Sequence, residues 1–354
     1  MATNQSSQVD ATWARYSRQM LFAEFGREGQ EKLAGSRVLL VGCGALGTVL
    51  ADTLVRAGVG FLRIVDRDYV ELNNLQRQIL FTEQDVTEGS PKAVAAAERL
   101  SKINSTVKIE PVVADAHSGN VENYADEIHL LLDGTDNFET RFLINDVAVK
   151  HAIPWVYGAC VGSIGMVMPI LPGVTPCLRC VWGEPPPPGI SPTCDTAGVL
   201  APIVHIVASL QSVEAMKILT GKNDLVSRKL VQVDVWSGKF DAFDMSGARD
   251  GGDCRCCKGG RYDFLASSVA GRTASLCGRD AVQIAATGSA VVDFEQIARR
   301  LAAVAKSPPN FNRYLLRFKV DAYEITLFRD GRAIIKGTSD IEEGRTVYAR
   351  YIGS

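Results

Sequence analysis

The stretch Arg37-Val38-Leu39-Leu40-Val41-Gly42-Cys43-Gly44-Ala45-Leu46-Gly47 decides the fold. An apolar run ends in Gly-x-Gly-x-x-Gly, and a helical pattern begins at once. The next apolar run, Leu62-Arg63-Ile64-Val65, is closed by Asp66, 19 residues beyond Gly47. This spacing predicts a strand–turn–helix–strand unit. The glycines permit a tight turn and a close approach of phosphate to the backbone, and the helix N-terminus supplies unpaired N–H groups and partial positive charge. A carboxylate at Asp66 is placed to accept from a ribose hydroxyl. The pattern therefore points to an adenine nucleotide, either a nicotinamide cofactor for hydride transfer or ATP.

Bulk properties narrow the class. The chain has 354 residues, 46% of them apolar and 22% charged, enough for a large core and a second small domain. A net charge of −2 gives no electrostatic case for nucleic acid or an anionic membrane. The polar N-terminus, residues 1–14, is expected to be disordered and has no secretory pattern. The longest apolar stretch, Val199 to Leu210, is interrupted by Pro202 and His205 and is too short to span a bilayer. A cytoplasmic protein is expected.

Four of the nine cysteines form two pairs, Cys177-x-x-Cys180 and Cys254-x-x-Cys257. Each pair can grip one metal with two thiolates at about 2.3 Å, so together they match a tetrahedral structural zinc site. A redox reading needs a thioredoxin-like unit around one pair, and none is evident. Cys256 lies inside the second pair without an assigned partner.

Beyond Asp66, residues 67–81 are polar and irregular. Helices are expected over 92–103, 122–127 and 140–151, and strands over 107–113, 128–132 and 155–158. This alternation predicts a parallel doubly wound sheet, with ligands beyond the carboxyl ends of its strands. Asp136 falls at such an end. An antiparallel strand (162–170) follows, then a Pro- and Gly-rich crossover, 183–198, that holds Pro185–Pro188 and Cys194 and is expected to be mobile. A helix over 202–219 and strands over 230–235 and 239–243 complete an α/β domain (15–246). A Gly-rich linker (247–261) bears the second cysteine pair. The remainder, 262–354, reads as a small α+β domain. It has a helix 294–306 capped by Asp293, a hairpin turning at Asp330-Gly331, and a capping box of Asp340 with Glu343. Cys277 reads as a small buried hydrophobe.

The chemistry-bearing side chains cluster early: Arg15, Arg18, Asp66, Arg77, Lys92 and Asp136. None of the four histidines, His117, His129, His151 and His205, has a neighbour in sequence implying proton transfer. Attack of a carboxylate on the α-phosphate of ATP needs no general base, because that nucleophile is already ionised at neutral pH. It needs positioning and neutralisation of charge moving onto pyrophosphate.

Six motifs occur in order: Arg15-Tyr16-Ser17-Arg18-Gln19, the glycine-rich stretch 41–47, Asn74-Leu75-Gln76-Arg77-Gln78, Gly89-Ser90-Pro91-Lys92, Asp133-Gly134-Thr135-Asp136-Asn137 and 194–202 beginning Cys194-Asp195-Thr196. With both cysteine pairs, the stretch from Arg15 to about Cys257 resembles the ThiF/MoeB/HesA family, relatives of the ubiquitin-activating enzymes. The resemblance implies ATP-dependent adenylation of the C-terminal glycine of a small β-grasp sulfur-carrier protein ending in Gly-Gly. A rhodanese or cysteine desulfurase would act as sulfur donor, and a homodimer is implied. Carried over by position, Gly42, Gly44, Ala45, Leu46, Gly47, Asp66, Asp68, Asn74, Arg77, Lys92 and Asp136 would hold the nucleotide. Asp136 would bind magnesium, and Arg18 would reach into the partner's site. Cys177, Cys180, Cys254 and Cys257 would hold zinc. Cys194 matches the crossover cysteine that, in some members, attacks the adenylate or joins the carrier. Alternatives are an activating enzyme of a bacterial ubiquitin-like conjugation pathway and, more remotely, an NAD-dependent dehydrogenase. The 262–354 segment has no counterpart in the minimal members. The paired cysteines argue against the branch that modifies tRNA.

Overall fold

The computed structural model describes residues 13–187, 194–267, 274–276, 280–284, 292–302 and 304–353. The expectations for 1–12, for part of the crossover (188–193) and for Cys277 lie outside the described residues.

Eight strands form the first sheet: β1 (Arg37–Val41), β2 (Phe61–Val65), β3 (Lys108–Val112), β4 (Leu130–Asp133), β5 (Trp155–Val161), β6 (Ile164–Ile170), β7 (Lys229–Asp234) and β8 (Lys239–Asp244). Their order is β3-β2-β1-β4-β5-β6-β7-β8. β1 to β5 pair in parallel, and β6 to β8 continue the sheet antiparallel. The apolar, nearly unbroken composition of β1 (RVLLV) and β4 (LLLD) fits strands covered on both faces. The helices Ala45–Ala57, Lys92–Ile103 and Ala201–Leu219 pack on one face, and Phe138–Lys150 packs on the other.

Helix Ala45–Ala57 starts at the glycine turn and ends at Gly58, whose φ of +89° is a left-handed C-cap; an added Cβ there would strike the Tyr16 ring. Helix Ala201–Leu219 is long and apolar enough to cross a membrane by length and composition. Its Ile203, Val204, Val207, Ala208 and Ala215 are instead wholly buried in the core, which is the buried-helix reading of the sequence.

A second, all-antiparallel sheet follows: β9 (Ala274–Leu276), β10 (Ala281–Ile284), β11 (Asn310–Phe311), β12 (Leu315–Val320), β13 (Tyr323–Phe328) and β14 (Ala333–Lys336), in the order β11-β12-β13-β14-β10-β9. One face buries Leu316, Phe318, Val320, Ile325, Leu327 and Ile335 beneath the helices Phe294–Leu301 and Ile341–Tyr351. The alternate residues Ala281, Leu315, Phe328 and Ile334 point the other way and pack on Tyr69 of the first domain. The hairpin turns at Asp330-Gly331 as expected, with Gly331 at φ +84°.

Two local expectations are corrected. The helix expected over 294–306 ends at Leu301, and the Lys306 N–H donates to Lys319 O on β12 at 2.8 Å. A tertiary bond has displaced the last helical turn. Asp340 caps the final helix by accepting from the N–H groups of Glu342 and Glu343, but the Glu343 carboxylate does not return to the cap. It accepts from the hydroxyls of Thr338 and Tyr323 instead, so the box is only half formed.

Candidate nucleotide site and four-cysteine centre

The strand order reverses between β1 and β4, and ligands of doubly wound sheets bind at such a switch point. The loops leaving both strands meet there as bare backbone. Gly42 has φ +88°, and a Cβ on it would lie 2.6 Å from Gly134 O; a Cβ on Gly134 would lie 2.3 Å from Gly42 O, and one on Gly47 only 2.1 Å from it. Gly47 and Gly134 are required by contact, and Gly42 by both contact and its left-handed backbone. Gly44, N-cap of helix Ala45–Ala57, differs. A Cβ there would meet nothing nearer than Gln78 Nε2 at 3.8 Å, so the helix N-terminus opens onto free space. The buried Gln78 has an Oε1 with no hydrogen-bond partner among the described residues. The open glycine face and the helix N-terminus fit phosphate, and the unpaired acceptor fits a donor such as a sugar hydroxyl or a base amine, so together they fit a nucleotide.

Asp66 ends β2 as the sequence suggested. Its Oδ2 accepts from Cys43 N at 2.6 Å and its Oδ1 from Asp68 N at 2.7 Å. Burial pushes this carboxyl upward, and nearby Lys92 and the two amides oppose that push. Lys92 is itself buried; its Nζ lies 3.1 Å from Asp68 Oδ2 and its N–H donates to Asp68 O at 2.9 Å. Asn74 closes a 3-10 turn (Leu72–Asn74) by reciprocal bonds with Glu71. Arg77 Nη1 donates to Asn73 O at 2.8 Å. Asp136 is exposed on the loop after β4, its charge felt by both Arg67 and Arg141. Cys194 begins a helical turn (Cys194–Ala197), and its Sγ donates to Cys160 O near the end of β5 at 3.2 Å. Gly42–Gly47, Asp66, Asp68, Lys92, Asp136 and Cys194 therefore share one edge of the sheet.

Arg18 does not join them within one chain. It is exposed, and its neighbour Gln19 donates to Ala57 O at 3.0 Å, at the far end of helix Ala45–Ala57. Thirteen helical residues separate the two ends by about 18 Å.

Two residues without an assigned role emerge. Arg141 is buried against Asp133 (Nε to Oδ2, 3.1 Å) and donates to Thr135 O and Gly158 O, while Thr135 donates twice to Asp133 Oδ1. This pair shapes the loop that presents Asp136. Gln78 stood in a quoted motif, but only its placement behind Gly44 gives it a function. The histidines are structural where partners are seen: His129 Nδ1 accepts from Arg37 N, His117 Nδ1 accepts from Gly119 N, and His151 pairs with Glu122.

The two cysteine pairs converge. Cys177 Sγ lies 3.7 Å from Cys180 Sγ and 3.6 Å from Cys254 Sγ, and Cys180 Sγ lies 3.4 Å from Cys257 Sγ. All four sulfurs lie within 4.8 Å of one another. Tetrahedral Zn–S bonds of about 2.3 Å separate sulfurs by roughly 3.8 Å, so the donor set fits a structural cation. Cys256 lies beside the cluster, against Cys177, and also accepts from Asn145 Nδ2 at 3.4 Å and donates to Asp146 Oδ1 at 3.5 Å. Asn145 and Asp146 also receive Leu178 N and Phe264 N, which ties both cysteine segments to helix Phe138–Lys150.

The fold and the site together define a ThiF-type domain. The ThiF family model matches residues 16–256, and the chain belongs to this family. The sulfur carrier protein ThiS adenylyltransferase of Bacillus subtilis is 43% identical over 347 residues, covering 96% of this chain and 99% of that protein. The C-terminal sheet domain is thus shared with that relative. The SAMP-activating enzyme E1 of Haloferax volcanii is 39% identical over 258 residues, covering 73% of this chain and 93% of its own. Among solved structures, Escherichia coli MccB with MccA-N7isoASN superposes with a TM-score of 0.61 at 22% identity, covering 71% of this chain and 76% of that one, a likeness of fold.

Proposed function

We propose that this chain is an adenylyltransferase that activates the C-terminal glycine carboxylate of a small sulfur-carrier protein with ATP. The carrier oxygen bonds to the α-phosphorus, the bond from that phosphorus to the bridging oxygen breaks, and pyrophosphate leaves with the negative charge. No proton moves, because the attacking carboxylate is already ionised. The observation that carries this reading is the shared sheet edge. The open Gly44 face, the unsatisfied Gln78, the Lys92–Asp68 pair and Asp136 stand together there, with no histidine among them.

In this reading Gly42, Gly44, Ala45, Leu46 and Gly47 cradle the phosphates, and Asp66 and Asp68 face the ribose. Asn74, Arg77 and Lys92 neutralise charge developing on pyrophosphate. Asp136 would hold Mg²⁺, which supplies further charge neutralisation when bound. Cys177, Cys180, Cys254 and Cys257 would hold a structural Zn²⁺. Arg18 would serve a partner's site in a homodimer, supported by its distance from its own site and by the exposed Leu21 and Phe22 beside it (73% and 61%). We assign residues 15–246 to the adenylation domain, 247–261 to the linker and 262–354 to the C-terminal domain, in a cytoplasmic protein whose adenylated carrier would then take sulfur from a desulfurase or rhodanese with release of AMP. Cys194, at the same edge, supports the ubiquitin-like alternative: its thiol, losing its proton to solvent, would attack the adenylated glycine carbonyl, forming a thioester and releasing AMP.

ATP–pyrophosphate exchange with purified chain and candidate carriers ending in Gly-Gly tests the reading. Exchange that depends on one carrier's intact C-terminus is expected. Calorimetry showing NAD bound in preference to ATP would return the dehydrogenase alternative.

A further inference from the structure

The outward face of the C-terminal sheet and the loop before β12 meet the first domain along a few segments, and apart from an ion pair of Arg313 with Glu98 on helix Lys92–Ile103 (3.1 Å) the contacts described below flank the nucleotide site. Arg332, 4% exposed, donates from Nη2 to Arg67 O at 3.2 Å, the carbonyl between Asp66 and Asp68. Gln283 donates to Asp115 Oδ2 at 3.1 Å, and Asp115 also receives the guanidinium of Arg67. Arg317 stacks on the Tyr69 ring at 3.8 Å and borders Gly89. Lys336 pairs with Glu71, the residue that closes the turn bearing Asn74. Asn312 donates to Glu88 O at 2.9 Å, just ahead of Gly89-Ser90-Pro91-Lys92.

Those two first-domain segments are themselves stitched together. Val70 N donates to Ser90 O at 2.9 Å, Lys92 N donates to Asp68 O at 2.9 Å, and Tyr69 bridges to Pro91. Neither segment belongs to the eight-stranded sheet, so their positions rest on such local bonds and on whatever covers them. Burying the charge of Arg332 is costly, and a short surface loop would ordinarily leave such a carbonyl to water. The contacts form a row along one sheet face, with side chains from β10, β12 and β14 at alternate positions.

We infer that the C-terminal domain is a brace of the nucleotide site: Arg332, Arg317, Lys336 and Asn312 fix segments 66–74 and 88–92, and so set the affinity for ATP. These are positioning residues acting through Asp66, Asp68, Asn74 and Lys92. The inference rests on the ATP-binding part of the proposed function.

The test uses full-length chain with Lys336→Met, Arg332→Met and Arg332→Lys, and the distant exposed Arg350→Ala as control. Hydrogen exchange of peptides over 66–74 and 88–92 reports the brace without any nucleotide. Faster exchange in those peptides is expected in Lys336→Met and Arg332→Met, with β1 and β4 unchanged. ATP affinity should fall about tenfold, a coupling of ordinary size. Arg332→Lys, which retains a donor for Arg67 O, should recover part of the affinity. Unchanged exchange in both methionine variants would overturn the brace, and faster exchange with unchanged ATP affinity would overturn its positioning role. Lys336 is one-third exposed, so its variant folds even where the Arg332 variants do not. Wild-type chain that fails to bind ATP sinks the proposed function, while the exchange data still decide the brace.

Discussion

Lys92 is bound to Asp68 twice, through Nζ to Oδ2 at 3.1 Å and through its own N–H to Asp68 O at 2.9 Å. The ammonium is thereby held 5% exposed at the start of a helix, with its rotamer fixed before any substrate arrives. Preorganised charge of this kind stabilises a transition state without reorganisation. Lys92→Ala should lower kcat/KM for adenylation by on the order of 10²–10³, about 3–4 kcal/mol. Lys92→Arg should recover little, because a larger fork cannot enter that buried position. Wild-type exchange in Lys92→Ala would refute the role.

Asp136 stands exposed, away from the packed core. Asp136→Ala should abolish pyrophosphate exchange and leave the melting temperature within a degree or two, since exposed substitutions usually stay within about 0.5 kcal/mol. A large drop in stability would mean that Asp136 is structural.

Arg18 and the glycine loop lie at opposite ends of helix Ala45–Ala57. Arg18→Ala should cost on the order of 3 kcal/mol in transition-state stabilisation. Mixed dimers of Arg18→Ala with Asp136→Ala should regain activity, because one of their two composite sites is intact. Proven mixed dimers without activity would place Arg18 outside catalysis.

The Asp133–Arg141 pair predicts the opposite signature. Arg141→Met leaves Asp133 buried without its cation, at a cost of about 3–5 kcal/mol. Denaturant titration should show that loss directly. An unchanged midpoint would mean that the Thr135 bonds and the Gly158 N–H, 3.4 Å from Asp133 Oδ2, suffice.

The four thiols predict stoichiometric zinc in protein purified without chelator. Cys254→Ser should lower both metal content and thermal stability while leaving ATP affinity nearly intact, as the cluster is built on helix Phe138–Lys150 and not on the glycine loop. Metal content near zero in the wild type would reject the site.

Much of this was legible in the sequence because it is local. The glycines, Asp66 and Asp136 follow strands whose apolar runs are unmistakable, and each cysteine pair announces itself within four residues. What stayed hidden depends on long-range geometry. Gln78 acquires meaning only behind Gly44. Lys336 and Glu71 are 265 residues apart, so no window on the chain could join them. The early end of the helix at Leu301 follows from a bond to Lys319 that competes with propensity, and Glu343 leaves its cap for hydroxyls on other elements.

The positions of Cys177 and Cys254, 77 residues apart in the chain and 3.6 Å apart in space, carry one more consequence. A cation held there turns the intervening stretch, with the crossover, helix Ala201–Leu219 and β7–β8, into a closed ring. In polymer terms a cross-link over such a length removes about 4 kcal/mol of entropy from the unfolded chain. If zinc is that cation, metal scarcity in the cell would act first by opening this ring, and the protein's abundance would track zinc supply before its chemistry did.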